Sequence, residues 1–109
     1  MNRMKQRRLE AAGWRVGMAS GFLGLSPEET ALVEMKVLLG QALRARRESH
    51  GISQLALAKR LKSSQSRVAK MEAADRTVSI DLLVRGLIVL GAQPRDIASA
   101  LRRTSGAAA

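Results

Sequence analysis

Several residue types are absent or scarce in this chain of 109 residues, and each absence narrows what it can be. No cysteine is present, which excludes disulfides and thiolate metal sites and is compatible with a reducing cytoplasm. Trp14 and Phe22 are the only aromatic residues, so the core has to be aliphatic, which favours packed helices over a sheet sandwich. No apolar run approaches the roughly 20 residues that cross a bilayer, and no secretory signal follows the basic start.

Acidic residues are also scarce relative to basic ones. The chain has 19 Lys and Arg against 9 Asp and Glu, which gives a net charge of +10. An excess of this size predicts a polyanionic partner, most often nucleic acid. A basic helix lying on a membrane surface is the alternative, but the N-terminal segment lacks the apolar face that such a helix needs.

The titratable residues form no pattern typical of an active site or a metal centre. His50 is the sole histidine and lies beside Gly51, which favours a surface or helix-end role over catalysis. The acidic residues are scattered, and no glycine-rich phosphate loop with a GK[ST] ending is present. We therefore expect no enzyme activity, no metal and no cofactor.

Helix signals follow one another from residue 26 onwards and predict an all-α fold. Ser26 and Glu29 form a capping box with Pro27 at the first helical position, and this helix should end near Ser49. Gly40 in its interior costs about 1 kcal/mol relative to alanine, which we interpret as the mark of a close helix contact. Further helices are expected at 54–61, 65–73, 80–90 and 94–103, the first three after capping serines at positions 53, 64 and 79.

These signals divide the chain into three parts. Residues 1–25 are expected to be a basic arm followed by a glycine-interrupted extension that contains Trp14 and Phe22. Residues 26–103 are expected to form the folded domain, and residues 104–109 a disordered tail. The apolar side chains whose helical spacing places them toward the core are Leu32, Met35, Leu39, Ala42, Leu43, Leu57, Ala58, Leu61, Val68, Met71, Leu82, Leu83, Leu87, Leu90, Ile97 and Leu101.

The most informative stretch runs from Ile52 to Glu72 and predicts two short helices joined by a tight turn. Ala58 is small where the two helices would touch. Five cations and no acid lie between Lys59 and Lys70. A short, positively charged helix held out by a partner helix is what a protein needs to enter the DNA major groove.

An ordered set of small, apolar and polar residues runs through this stretch: Gly51, Ser53, Gln54, Leu57, Ala58, Leu61, Ser64, Gln65, Ser66, Val68 and Glu72. With this set, from about Leu39 to Leu90, roughly half of its length, the chain resembles the Cro/repressor-type helix-turn-helix domain, the Xre family. The resemblance implies a compact four-to-five-helix bundle of the lambda-repressor-like type, preceded here by an N-terminal extension, with the helix-turn-helix unit at 53–73. It also implies a homodimer that binds palindromic double-stranded DNA operators.

The same resemblance implies roles for individual residues. The family usually has glycine at the turn position of Lys62, so we expect a positive φ there at a cost of about 1 kcal/mol. Arg47 and Glu72 match a pair that forms a structural salt bridge between the first and third helices of the family. The residues expected to contact DNA bases are Gln65, Ser66, Arg67 and Lys70. The residues expected to contact phosphates are Ser53, Gln54, Lys62, Ser64 and Arg76.

The sequence therefore predicts a sequence-specific DNA-binding transcriptional regulator, an autoregulating repressor in the cytoplasm that is associated with the nucleoid. The alternative is a HigA-type antitoxin, which would bind a ribonuclease toxin through the N-terminal extension as well as its own operator. A third hypothesis, a protein-interaction module that does not use DNA, is disfavoured by the cation excess. The dimer surface is expected either on the fourth and fifth helices, through Leu87, Val89, Ile97 and Leu101, or on the N-terminal extension.

Overall fold

The computed structural model describes residues 24–108, with side chains described as far as Arg102. The described residues form five helices and no strand, which confirms the predicted all-α class. The chain divides into two compact units, Met1–Glu34 and Met35–Ala109. Most of the predicted extension, including Trp14 and Phe22, lies outside the described residues. The helices are α1 (Pro27–Ser49), α2 (Gln54–Arg60), α3 (Gln65–Glu72), α4 (Ile80–Val89) and α5 (Pro94–Ala108).

In the first unit, the described residues form the start of α1. The backbone N–H of Ser26 donates to Oε1 of Glu29 at 2.9 Å, and the backbone N–H of Glu29 donates to Oγ of Ser26 at 3.1 Å. These reciprocal bonds satisfy two of the amides that a helix start leaves unpaired. The backbone N–H of Ser26, followed by its hydroxyl, holds the pKa of Glu29 below its ordinary value.

The short helices of the second unit begin at capping serines. The hydroxyl oxygens of Ser53, Ser64 and Ser79 each accept a hydrogen bond from the backbone N–H three residues later, at 3.0, 3.2 and 3.1 Å. Because such a bond joins near neighbours in the chain, the sequence alone is enough to locate these helix starts. The last predicted residue of each helix is a C-cap: Leu61, Ala73 and Leu90.

Helix α5 is longer than the sequence predicts. It continues to Ala108, beyond the expected end at Arg103 and through most of the expected tail. Thr104, Ser105 and Gly106 are weak helix formers, but the alanines that follow are the best ones, and no proline ends the helix.

The core of the second unit is aliphatic, as the shortage of aromatic residues predicts. Val78, in the loop before α4, is 2% exposed and was not among the expected core residues, because it belongs to no helical pattern. The expectation was wrong for Leu32, which is 48% exposed. Five of the expected residues are only partly buried and pack against the rest: Ala42, Leu61, Leu82, Ile97 and Leu101. The buried core consists of Leu39, Leu43, Leu57, Ala58, Val68, Met71, Val78, Leu83, Leu87, Leu90 and Ala92.

Gly40 lies where α1 passes closest to the end of α3. A Cβ atom at this position would be 2.8 Å from the backbone oxygen of Met71 and 3.0 Å from that of Glu72. Backbone oxygens cannot rotate away as a flexible side chain can, so only glycine allows this approach. The interpretation of Gly40 as a close helix contact therefore has a direct geometric basis.

Gly40→Ala is expected to destabilise the protein, although alanine is the better helix former by about 1 kcal/mol. The added methyl would force α1 and α3 apart, and we expect the free energy of unfolding to fall by about 1–3 kcal/mol in urea denaturation followed by circular dichroism. Gln41→Ala, at an exposed position on the same helix, is the control and should change it by less than about 0.5 kcal/mol. Unchanged stability in Gly40→Ala would contradict the close approach.

Candidate nucleic-acid interface

Helix α3 presents polar and cationic side chains to solvent. Its apolar residues Val68 and Met71 are both 0% exposed, so they fix the helix on the core. The side chains on the opposite side are thereby fixed facing outward. The exposed residues are Gln65, Ser66, Arg67 and Lys70, which are the residues expected to contact bases.

The turn between α2 and α3 contains the positive φ that the resemblance implies. Lys62 has φ of 55°, and its side chain is exposed. The backbone N–H of Lys62 donates to the oxygen of Lys59 at 3.2 Å, and that of Ser63 donates to the oxygen of Ala58 at 2.9 Å. These bonds end α2 and hold a lysine in a conformation that costs about 1–2 kcal/mol for a residue with a side chain.

The loop after α3 is also held firmly. Ala74 has φ of 55°, and the backbone N–H of Asp75 returns to the oxygen of Lys70 at 2.9 Å. Asp75 then accepts a bond from the backbone N–H of Thr77 at 3.0 Å, which closes a local turn. Arg76, an expected phosphate contact, lies in this hydrogen-bonded loop, and its side chain is exposed.

Lys36 contacts this loop from α1 and was missed by the sequence analysis. Its Nζ donates to the backbone oxygen of Arg76 at 3.3 Å, across 40 residues of sequence. Lys36 and Gly40 are four residues apart and share one face of α1. Since Gly40 marks the close approach to α3, a cation one turn earlier on the same face was a signal that could have identified the contact.

A buried network links the ends of three helices through Glu72. Nε of Arg47 donates to Oε2 of Glu72 at 2.5 Å, and Nη2 donates to Oε1 at 3.1 Å. A third nitrogen of the same guanidinium, Nη1, donates to the backbone oxygen of Ile52 at 2.9 Å. The side chains of Arg47 and Glu72 are only 12% and 5% exposed. The hydrogen bonds to Glu72 raise the pKa of Arg47, so the guanidinium stays charged.

Gln54 belongs to this network. Its Nε2 donates to Oε1 of Glu72 at 3.1 Å, across 18 residues, so the start of α2 is tied to the end of α3. The structure thus directs one amide donor of Gln54 into the domain itself, whereas the resemblance implies a phosphate contact for this residue. The phosphate role stays a prediction, and the structural role is an additional one.

The three serines expected to contact DNA differ in the hydrogen bonds that their hydroxyls already make within the protein. Ser53 and Ser64 cap α2 and α3, so each hydroxyl oxygen is already an acceptor. Oγ of Ser66 lies 3.2 Å from Oγ of Ser64, within hydrogen-bonding distance. If Ser64 donates to Ser66, the hydroxyl hydrogen of Ser66 is left to face a partner.

The charges around α2 and α3 are unbalanced. Among the side chains of residues 24–102, none of the exposed cations of this region takes part in a salt bridge. The ion pairs that do occur lie elsewhere or join Arg47 to Glu72. An uncompensated positive surface attracts the DNA backbone and releases its counterions. The cations are Lys59, Arg60, Lys62, Arg67, Lys70 and Arg76.

Two short helices with a tight turn, the second exposed and cationic, define a helix-turn-helix DNA-binding domain. The model of the helix-turn-helix family matches residues 43–97, from the C-terminal half of α1 into α5. The chain therefore belongs to this family of DNA-binding transcriptional regulators, of the Cro/repressor or Xre type, which confirms the resemblance. No curated protein and no solved structure matches the chain significantly.

Two further observations concern the described residues as a whole. None of the helices between residues 24 and 108 is both long and apolar enough to reach across a bilayer. Over the same range, no group of acidic residues and histidine is arranged to hold a metal ion.

Glu72→Ala is expected to lower the free energy of unfolding by about 3 kcal/mol, because it leaves the buried guanidinium of Arg47 without its partner. Chemical denaturation measures the loss. Glu48→Ala is the matched control, since it breaks the pair of Arg44 and Glu48, whose side chains are 65% and 55% exposed. The control should cost less than about 1 kcal/mol, and equal losses in the two variants would contradict a special role for the buried pair.

Proposed function

We propose that this protein is a sequence-specific regulator that binds a palindromic operator as a dimer and represses its own promoter. The observation that supports this most strongly is helix α3, whose polar and cationic side chains are exposed while Val68 and Met71 anchor it in the core. A helix that is fixed before it meets DNA reads bases without the entropic cost of ordering itself.

The proposed base contacts follow from the chemistry of the exposed side chains. Gln65, in the first turn of α3, pairs bidentately with the N6 and N7 atoms of adenine. Arg67 and Lys70 pair with the O6 and N7 atoms of guanine, and Ser66 accepts or donates according to the base that it meets. Three of the four groups can donate to purine edges in the major groove.

The proposed phosphate contacts flank the reading helix. Lys62 lies in the turn before α3, and Arg76 lies in the loop after it, so the two cations can hold the DNA backbone on either side of the groove. Such contacts set register and affinity without reading the sequence. The remaining phosphate contacts in this proposal are Ser53, Gln54 and Ser64.

Dimerisation and repression complete the proposal. Two copies related by a two-fold axis would place their α3 helices in successive major grooves, about one helical turn apart. Repression requires only that the bound protein overlap the polymerase site, whereas activation requires a further surface that contacts the polymerase. Autorepression is therefore the simplest consequence of an operator in the protein's own promoter.

The antitoxin alternative depends on the segment 1–25, with Trp14 and Phe22, as the toxin-binding part. Residues 1–23 lie outside the described residues, and no contact of the described residues adds support for a toxin partner. Co-purification of the full chain from its own cells tests the alternative. Recovery of a small nuclease whose activity the chain inhibits would favour the antitoxin over a regulator that acts alone.

Selection of bound duplexes from a random pool, read by sequencing, tests the proposed function. We expect a palindrome with half-site centres about 10 base pairs apart. Gln65→Ala and Arg67→Ala should each relax the preference at one position of the half-site, at a cost of about 1–3 kcal/mol in binding free energy. Arg95→Ala, which removes an exposed cation of α5, should leave the preference unchanged. Binding without any sequence preference would contradict the proposal.

Lys62→Gly separates the conformation of the turn from its charge. Because φ at this position is 55°, glycine should leave the free energy of unfolding unchanged or raise it by up to about 1 kcal/mol. DNA affinity should nevertheless fall, and the slope of log affinity against log salt should shrink by about 0.9. Fluorescence anisotropy titrations at several salt concentrations measure both quantities. An unchanged slope would remove Lys62 from the phosphate contacts.

A further inference from the structure

Lys36 places a second cation beside the loop that carries Arg76. Its Nζ donates to the backbone oxygen of Arg76 at 3.3 Å, in a hydrogen bond that is exposed to solvent. Lys36 lies about 6 Å along α1 from Gly40, where α1 approaches the end of α3, so its side chain reaches the loop that follows. A backbone oxygen carries no net charge, so this bond fixes the ammonium in place without neutralising it.

The stability of the fold gives little reason to hold a lysine in this position. In an exposed bond the ammonium exchanges water for a neutral oxygen, which gains little, and ordering a long side chain costs conformational entropy. The dipole of α3 does not account for the contact either, because Arg76 lies beyond Glu72, the last residue of that helix. The position of the charge therefore matters more for a partner than for the fold.

The surroundings of Lys36 carry an excess of positive charge. Lys70 is exposed near the end of α3, and its backbone oxygen accepts the N–H of Asp75 at 2.9 Å, so this cation adjoins the same loop. Asp75 is the one acid of the loop, and its Oδ2 accepts bonds from the backbone N–H and the hydroxyl of Thr77. With Arg76, three cations stand against one acid, which favours an anionic partner at this place.

We infer that Lys36 binds a phosphate of the DNA backbone together with Arg76, beyond the C-terminal end of α3. This inference rests on the proposed function, to which it adds a contact from α1. The match to the helix-turn-helix family begins at residue 43, so Lys36 lies outside the part of the chain that the family model covers. Because the ammonium is already held beside the Arg76 loop, it meets a phosphate with little further loss of entropy.

Lys36→Met tests the contact, because methionine keeps an unbranched apolar side chain and removes the charge. Fluorescence anisotropy measures binding of the full-length protein to its selected operator at several salt concentrations. For each protomer bound, the slope of log affinity against log salt should shrink by about 0.9, and affinity at about 0.1 M salt should fall about eightfold. An unchanged slope would overturn the inference.

Two further variants are the controls for this measurement. Arg95→Met removes an exposed cation of α5 and should leave the slope and the affinity unchanged. Lys36→Arg retains the charge and should keep the wild-type slope. Circular dichroism establishes that each variant is folded. A loss in Arg95→Met equal to that in Lys36→Met would assign the effect to net charge alone and overturn the inference.

A double variant separates a direct contact from an effect exerted through Arg76. In a chain that already carries Arg76→Ala, Lys36→Met should still reduce the slope by about 0.9 for each protomer. If Lys36 only positioned the loop, its removal would change nothing further once the Arg76 side chain is absent. No additional change in the double variant would therefore contradict a phosphate contact by Lys36.

Neutral phosphates in the operator give an independent measurement. One phosphate at a time is replaced by an uncharged methylphosphonate, and both the wild type and Lys36→Met are titrated with each duplex. At one or two positions beyond the half-site, the wild type should lose affinity and Lys36→Met should lose less. Equal losses in the two proteins at every position would count against the inference.

Sequence preference separates failure of this inference from failure of the proposed function. If the wild type selects a palindrome and Lys36→Met keeps the wild-type slope, only the inference fails. If the wild type has no preferred sequence, the proposed function fails. The slope on a duplex of random sequence then still decides whether Lys36 meets a phosphate, because that contact reads no base.

Discussion

The carboxylate of Glu72 receives three hydrogen bonds, two from the guanidinium of Arg47 and one from the amide of Gln54. Arg47 also donates to the backbone oxygen of Ile52, two residues before α2 begins. The end of α1, the start of α2 and the end of α3 therefore share one buried ionic centre. Since each group depends on the others for its hydrogen bonds, the network favours one arrangement of the three helices.

Close packing of α1 against the backbone at the end of α3 adds to this network. Gly40 lets the backbone of α1 come within contact of the Met71 and Glu72 carbonyls, and Lys36, one turn earlier, reaches the loop that carries Arg76. The C-terminal end of α3 is thus fixed by the ion pair of Glu72 with Arg47, by the backbone packing of α1 at Gly40, and by the hydrogen-bonded loop that follows. Its N-terminal end, with Gln65, is held by the capping hydroxyl of Ser64. The exposed side chains of α3 are therefore not needed to hold the helix in the fold.

Acidic and basic side chains have different positions and roles in this domain. Three acidic groups order the fold. Glu72 accepts bonds from Arg47 at the end of α3, Asp75 closes the loop after α3, and Asp96 accepts the backbone N–H of Gln93 at the start of α5. The exposed cations of α2 and α3 have no acidic partner among the residues whose side chains are described, so this surface is suited to a polyanion.

The sequence by itself determined the helix starts, the family, the cationic character of α3 and, through the resemblance, the positive φ at Lys62. Capping bonds span three residues and apolar periodicity spans a few turns, so neighbours in the chain carry this information. Only the tertiary structure decided that Gln54 turns toward Glu72, that Lys36 meets the backbone of Arg76, and that Val78 is buried. These features join residues that are distant in the chain, and their distances depend on how the helices pack rather than on any local pattern.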